Sequence, residues 1–155
     1  MAASQYIFVL WGSNFNEAVA AIFVTELRQA GLRVKVVGLD GELPVGSYGL
    51  ALAPDMPLSQ ALPLANRTIC VIAPCDAQQW RRIQHDPRLT DFVAQVQQSG
   101  GWLITEPVQQ DYTITWTVHP PNLDVYAAGA ADVINHTPPT QLTSFVRQLA
   151  GSLGR

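Results

Sequence analysis

The sequence predicts a three-layer α/β sandwich built on a mostly parallel sheet. Two apolar runs, Tyr6–Trp11 and Thr68–Ala73, have strand length and no polar alternation. That is the pattern of strands buried on both faces of a sheet. Each run is followed by a helical segment and then by another apolar run. A crossover of this length makes the two strands parallel, so the chain contains two βαβ units.

The first βαβ unit lies in residues 6–41. Asn14 and Glu17 fit a capping box, in which the Asn side chain accepts from first-turn amides and the Glu side chain reaches back. Gly31 supplies the left-handed residue that ends the helix, and Leu32–Val37 is the second strand. The predicted helix carries one apolar stripe: Phe15, Ala18, Val19, Ile22, Phe23, Leu27 and Ala30.

The segment between the two units contains little regular structure. Leu50–Ala53 reads as a short apolar strand that ends at Pro54-Asp55. The prolines at positions 57 and 63 limit Leu58–Leu62 to a turn or two of helix. Thr68–Ala73 is then expected to be the central strand.

The second βαβ unit repeats this logic. Asp76 is the expected cap of a short helix, and Asp86-Pro87 is a stronger start signal, a cap followed by proline at the first helical position. Trp102–Thr105 is the next strand, and Glu106-Pro107 is expected to stop it. The buried stripe of the intervening helix is Leu89, Phe92, Val93 and Val96.

The last third of the chain reads less clearly. Tyr112–Val118 alternates between apolar residues and threonines, which suits a half-exposed antiparallel strand or an edge strand. Asp124–Ala128 and Asp132–Asn135 are two further short strands. Thr137–Thr140 opens the final helix, whose apolar stripe is Leu142, Phe145, Val146, Leu149 and Leu153.

Length and composition indicate a single globular domain, residues 4–155. A chain of 155 residues that is 48% hydrophobic and 14% charged is too apolar for a disordered protein and favours a subunit interface. The net charge is −3 and the basic residues do not cluster, which excludes a nucleic-acid-binding footprint. No apolar run reaches the roughly 20 residues of a membrane span. Two cysteines and no export signal predict a cytoplasmic protein.

The order of these features resembles the PfpI superfamily, which contains the intracellular proteases and the Parkinsonism-associated deglycase. The similar segments are Gly12-Ser-Asn-Phe-Asn-Glu17, Leu27-Arg-Gln-Ala-Gly-Leu-Arg-Val34, Val37-Gly-Leu-Asp-Gly41 and Cys70-Val-Ile-Ala-Pro74. The resemblance covers residues 6–105 well and the remainder loosely. It implies a flavodoxin-like fold of the class I glutamine-amidotransferase type, a dimer and a cysteine nucleophile.

The sequence departs from the family pattern at three catalytic places. Counted back from Ala30-Gly31, the helix acid falls on Val19, and Glu17 lies about 200° away around the helix. Pro74-Cys75-Asp76 stands where the family has Pro-Gly-Gly. Thr105–Gln109 stands where a cysteine elbow with small neighbours is required. The resemblance therefore predicts a pseudoenzyme, a non-catalytic domain that acts by binding.

The binding crevice of an open α/β sheet lies beyond the carboxyl ends of its strands. The predicted ligand-binding residues at that edge are Ser13, Asn14, Cys75, Asp76, Glu106 and His136. An alternative hypothesis is a relocated cysteine enzyme, a hydrolase, deglycase or amidotransferase-like protein. In it, Cys75 is the nucleophile, His136 the base and Glu106 the orienting carboxylate.

The sequence predicts no cofactor and no metal. His85, His119 and His136 are far apart, without the spacing of paired ligands. Gly12-Ser13-Asn14 lacks the glycine richness of a phosphate loop, which argues against a nucleotide-binding or electron-transfer protein. The expected partners are a second copy of the chain or another protein, or else a small ligand at the strand ends.

Overall fold

A computed structural model describes residues 5–41, 43–110, 113–119, 132–136 and 139–154, and for residues 106–141 it describes the main chain alone. The strands are β1 (Tyr6–Trp11), β2 (Val34–Gly38), β3 (Met56–Pro57), β4 (Thr68–Ala73), β5 (Trp102–Gln110), β6 (Thr113–His119) and β7 (Asp132–His136). The helices are α1 (Glu17–Gln29), α2 (Leu58–Ala61), α3 (Ala77–Ile83), α4 (Pro87–Gln98) and α5 (Pro139–Leu153). A 3₁₀ helix, Leu62–Arg67, joins α2 to β4.

Over the described residues the strands form one sheet in the order β3-β2-β1-β4-β5-β6-β7. The first five strands in this order are parallel, and β6 pairs antiparallel with both β5 and β7. Val9 of β1 lies in register with Val36 on one side and Ile72 on the other. The prediction of a mostly parallel sheet, with β4 at its centre, is confirmed.

Helices cover both faces of this sheet. The β1–β2 and β4–β5 crossovers run in opposite directions along the sheet, so right-handed connections place α1 and α4 on opposite faces. On one face the rings of Phe23 and Phe145 join α1 to α5, edge to face at 6.3 Å. On the other, Phe92 of α4 packs at 5.9 Å from Phe8 of β1. The predicted three-layer sandwich is therefore observed.

One predicted strand differs in the structure, and another lies outside the described residues. Leu50–Ala53 is not a strand: Ala51 forms only an isolated bridge with Val45, and the strand beside β2 is β3. The main chain at Leu50 donates to a side chain instead, as described below. Of the two late strands, Asp132–Asn135 corresponds to β7, whereas Asp124–Ala128 lies outside the described residues.

The expected stop of β5 at Glu106-Pro107 is wrong, because the strand continues to Gln110. Thr105 pairs with Thr117 and Val108 with Thr115, so two residues of β5 oppose one residue of β6. This is a β-bulge, and a bulge is one of the few places in a sheet where a proline without an amide is tolerated. The antiparallel prediction for β6 is confirmed, but β6 is interior because β7 pairs on its far side.

The predicted helix starts are confirmed at the two helices that an aspartate precedes. Asp76 caps α3 by accepting from the amide of Gln79 at 2.8 Å, and Asp86 caps α4 by accepting from Arg88 at 3.0 Å. Gly31 ends α1 with a φ of 84°. The helix α5 begins at Pro139, and positions 137 and 138 of its predicted entry lie outside the described residues. Every helix in the described ranges is too short or too polar to cross a lipid bilayer.

Candidate functional site

The turn between β1 and α1 is tied to the loop of residues 43–50. Trp11, the last residue of β1, is fully buried, and its indole N–H donates to the carbonyl of Pro44 at 3.2 Å. The amide of Asn14 donates to the carbonyl of Val45 at 3.2 Å, and the hydroxyl of Ser47 donates to the carbonyl of Asn14 at 2.8 Å. The turn and the loop therefore form one hydrogen-bonded unit at the carboxyl edge of the sheet.

Glu17 fixes the far end of the same loop. Its side chain is only 6% exposed, and one carboxylate oxygen accepts from the amides of Tyr48 and Leu50, both at 3.0 Å. The predicted capping box of Asn14 and Glu17 is therefore wrong. The cap of α1 is Asn16, which accepts from the amide of Val19 at 3.1 Å, whereas Asn14 has a positive φ of 67°.

Gly46 packs directly against this carboxylate. A Cβ atom at position 46 would lie 2.5 Å from the carboxyl carbon of Glu17, closer than van der Waals contact allows. A glycine is thus required here by close approach, not by an unusual φ. The loop can close on Glu17 because position 46 has no side chain.

The hydrogen bonds to Glu17 keep it ionised. Burial by itself would raise the pKa of this carboxyl group. Hydrogen bonds from its own amide and from the amides of Leu50 and Tyr48 outweigh that effect, and the pKa lies below the ordinary value of 4.5. At neutral pH the loop is therefore held by a carboxylate, whose hydrogen bonds are stronger than those of a neutral acceptor.

The other side of the turn contacts the segment that follows β4. The amide of Asn16 donates to the carbonyl of Pro74 at 2.9 Å, and the side-chain amide of Gln79 donates to the carbonyl of Ser13 at 3.0 Å. Cys75, the residue after Pro74, has only 2% of its surface exposed. Cys70 is fully buried within β4, and burial raises the pKa of its thiol far above the ordinary value.

The predicted site residues fall into two groups. Ser13, Asn14 and Asp76 are exposed around the β1–α1 turn, whereas Cys75, next to Asp76 in the chain, is buried. Glu106 follows Thr105, the residue of β5 that pairs with Ala73, so its main chain belongs to the same edge. His136 ends β7, which is three strands from β4, or about 14 Å across the sheet.

The sequence did not predict that Glu17 accepts hydrogen bonds from this loop. It also did not predict that the loop exposes an apolar surface. The apolar loop, defined here as Leu43–Leu50, carries four exposed large side chains, among them Tyr48 at 82% and Leu43 at 57%. The other two are Val45 and Leu50. Apolar residues interspersed with glycine and proline, without a helical or strand period, were the signal available in the sequence. Among the described side chains, no three potential ligands lie close enough together to hold a metal ion.

The fold is that of the DJ-1/ThiJ/PfpI proteins. Drosophila melanogaster DJ-1beta superposes with a TM-score of 0.70 and 17% identity, over 97% of this chain and 91% of its own. Oxidised Toxoplasma gondii DJ-1 has a TM-score of 0.64 and 14% identity, over 97% of this chain and 96% of its own. A mutant DJ-1 superfamily protein from Salmonella typhimurium has a TM-score of 0.56 and 20% identity, over 65% of this chain.

The Salmonella match covers 54% of that protein, so this chain spans about half of its length. No protein-family model matches the sequence, and no curated protein does either. The likeness therefore concerns the fold alone.

Proposed function

We propose that this chain, which has the DJ-1/ThiJ/PfpI fold, is a non-catalytic domain that binds another protein through the apolar loop. The observation that carries the proposal is the exposure of Leu43, Val45, Tyr48 and Leu50 within one eight-residue segment. Exposed apolar side chains that are contiguous mark interaction sites, whereas single ones need no explanation. Tyrosine is also one of the residues that most often dominates the binding energy of an interface.

The loop is held in one conformation before any partner arrives. Glu17 binds the amides of Tyr48 and Leu50, and the amide and hydroxyl of Ser47 both donate to the carbonyl of Phe15, at 2.9 and 3.1 Å. A partner then does not have to order this main chain, which removes part of the entropic cost of association. The loop is therefore suited to binding apolar surface on another protein.

Two features support the non-catalytic part of the proposal. The main chain at residue 106 lies in a β-bulge of a continuing strand, whereas a nucleophile elbow needs a strand that ends in a sharp turn into a helix. Cys75 is buried, and a thiol that attacks a substrate must be accessible to it. The relocated cysteine site thus lacks the accessibility that its chemistry requires.

The first partner to test is a second copy of the chain, since a homodimer is the assembly that the sequence predicts. We expect sedimentation velocity to give twice the 16.9 kDa mass for the wild type and a concentration-dependent monomer for Leu50→Asp. Gln95→Asp, at another exposed position in the C-terminal half of α4, is the matched control and should remain a dimer. A wild type that stays monomeric would exclude self-association as the function of the loop.

If the wild type is monomeric, the partner is a different protein, and a photo-cross-linking residue at position 48 would trap it. Support requires that the trapped protein be identified, purified and shown to bind the wild type directly but not Leu50→Asp. Equal binding to both proteins would overturn the role of the apolar loop.

Alkylation separates this proposal from the enzyme hypothesis. In a Cys70→Ala background, we expect iodoacetamide to modify Cys75 slowly in the folded protein and fast after unfolding, because the thiol is buried. Rapid modification well below pH 8 would indicate an accessible thiolate. That result would replace the binding proposal with a cysteine-dependent enzyme.

A further inference from the structure

The amino edge of the sheet, opposite the candidate site, carries an unusual group around Tyr6. The guanidinium carbons of Arg33 and Arg67 lie 5.4 and 5.3 Å from the centre of the Tyr6 ring. Phe8 stacks nearly parallel to the same ring, with 5.5 Å between centroids and 9° between planes. One aromatic ring therefore contacts two guanidinium groups, and the two distances place their carbons no more than about 11 Å apart.

A third cation lies on the same face of the sheet. Lys35 of β2 is in register with Phe8 of β1, and residues in register on parallel strands project from the same face. Arg33 precedes it by two positions and so belongs to the same face as well. The amino-edge basic cluster, Arg33, Lys35 and Arg67, thus concentrates positive charge on a chain whose net charge is −3.

Carboxylates form ion pairs with other arginines of this protein but not with Arg33 or Lys35 of this cluster, over the described residues. Arg28, Arg88 and Arg147 each form an ion pair at 3.0 Å. Within the described ranges, neither Arg33 nor Lys35 is paired with a carboxylate. Like charges that are held together repel one another, and an anion bound between them would relieve that repulsion.

We propose that the amino-edge basic cluster binds the phosphate group of a small phosphorylated ligand. Guanidinium groups present planar forks of N–H donors that match phosphate oxygens, and Lys35 adds a third donor and a third charge. The Tyr6 ring already contacts Phe8 and both guanidiniums, so a nucleobase would have to compete with them in order to stack on it. Recognition is therefore of the phosphate, with little contribution from what is attached to it.

The test is a titration of the ¹⁵N-labelled protein with inorganic phosphate, followed by NMR, beside sodium chloride at matched ionic strength. We expect saturable shifts of the amides at Tyr6, Val34 and Thr68 with phosphate only. Arg33→Gln and Arg67→Gln should each weaken binding about tenfold, the loss expected for one charge-assisted contact. Arg81→Gln, an exposed arginine on α3, is the matched control and should bind as the wild type does.

Arg33→Lys keeps the positive charge but not the paired N–H donors of the guanidinium, so it should bind phosphate with intermediate affinity. Its binding shows whether weak binding by Arg33→Gln is merely the result of misfolding. Adenosine monophosphate should bind within a few-fold of inorganic phosphate. The proposal is overturned if chloride causes the same shifts, if the shifts do not saturate, or if Arg33→Gln binds as the wild type does. A strong preference for the nucleotide would also overturn it, because the ring would then be stacking on a base.

Discussion

The carboxyl ends of β1 and β5 meet the same edge of the sheet and are built in opposite ways. β1 stops at Trp11, and α1 begins at Glu17 after a turn of five residues. β5 passes the edge through a bulge and continues as a hairpin strand to Gln110. A strand that stops can deliver its next residues into a crevice, whereas a strand that continues sends alternate side chains to opposite faces. Chemistry at this edge therefore depends on which strands end there.

The acid at the start of α1 illustrates the difference. The resemblance to the PfpI proteins places a catalytic acid on this helix, beside a nucleophile supplied by the end of the β5 equivalent. Here that position is Val19, and the acid that the helix does carry, Glu17, binds main-chain amides of the apolar loop. The partners of this carboxylate lie in the loop that follows β2, and β2 is on the opposite side of β1 from β5. Four sets of variants test this difference between the ends of β1 and β5.

The largest effect is expected at the end of β1. Trp11→Ala should lower the free energy of unfolding by about 3–5 kcal/mol, because a fully buried indole is lost from the core. Trp11→Phe keeps most of the ring but removes the shorter of the two hydrogen bonds that the carbonyl of Pro44 accepts, the other coming from the amide of Leu52 at 3.4 Å, and should cost about 0.5–1.5 kcal/mol. Urea unfolding measures both. A Trp11→Phe variant as stable as the wild type would contradict a separate role of the hydrogen bond.

A methyl group in the apolar loop should have the next largest effect. Gly46→Ala places a Cβ atom against the Glu17 carboxylate and should cost about 1–3 kcal/mol as the loop is forced away. The matched control is Gly151→Ala in α5, where nothing lies within 4 Å and alanine should stabilise the helix by about 0.5 kcal/mol. A shift of the unfolding midpoint in the same direction for both variants would contradict the close contact between Gly46 and Glu17.

Acid should remove the contribution of Glu17. Its pKa is lower in the folded chain than the ordinary 4.5, so the stabilisation is complete above that value and is lost as the pH falls through the folded pKa. The difference in melting temperature between the wild type and Glu17→Gln should therefore be largest at neutral pH and shrink in acid. Glu26→Gln, which removes an ion pair with the exposed Arg147 and touches no amide of the apolar loop, is the control and should differ little from the wild type. A difference that is constant with pH would contradict the ionic role.

The smallest effect is expected at the β5 bulge. Glu106→Cys, in a Cys70→Ala and Cys75→Ala background, should titrate near the ordinary thiol pKa of about 8.5, because a continuing strand supplies no helix N-terminus to stabilise a thiolate. The rate of alkylation as a function of pH gives this pKa. A thiol that titrates near pH 6 would show that the bulge already provides an elbow-like environment.

The sequence predicted well whatever depends on local pattern. The apolar runs of β1 and β4 and the cap at Asp86-Pro87 were each determined by neighbouring residues and are confirmed. The Asn14–Glu17 cap failed because Asn14 and Asn16 both suit that position, and the choice between them depends on the loop. Leu50–Ala53 failed because the amide of Leu50 binds a carboxylate far away in the sequence.

The candidate site was less predictable, because long-range contacts form it. The residues around the β1–α1 turn were found by the rule that parallel strands end at one edge. The partners of Glu17 and the contact between Gln79 and Ser13 join segments that no spacing connects. Pro107 was predicted to end the strand, because the bulge that accommodates it depends on the pairing of β5 with β6, which no local pattern shows.

The contact between Gly46 and Glu17 also limits how this protein can vary. Because the glutamate carboxyl group fills the volume where a side chain at position 46 would begin, the sizes of the two residues have to change in opposite directions. Homologues with a shorter acid at position 17 gain room for alanine or serine at position 46, but they lose reach to the amides of the loop. The pair should therefore vary jointly among homologues, and only in those that keep this loop closed.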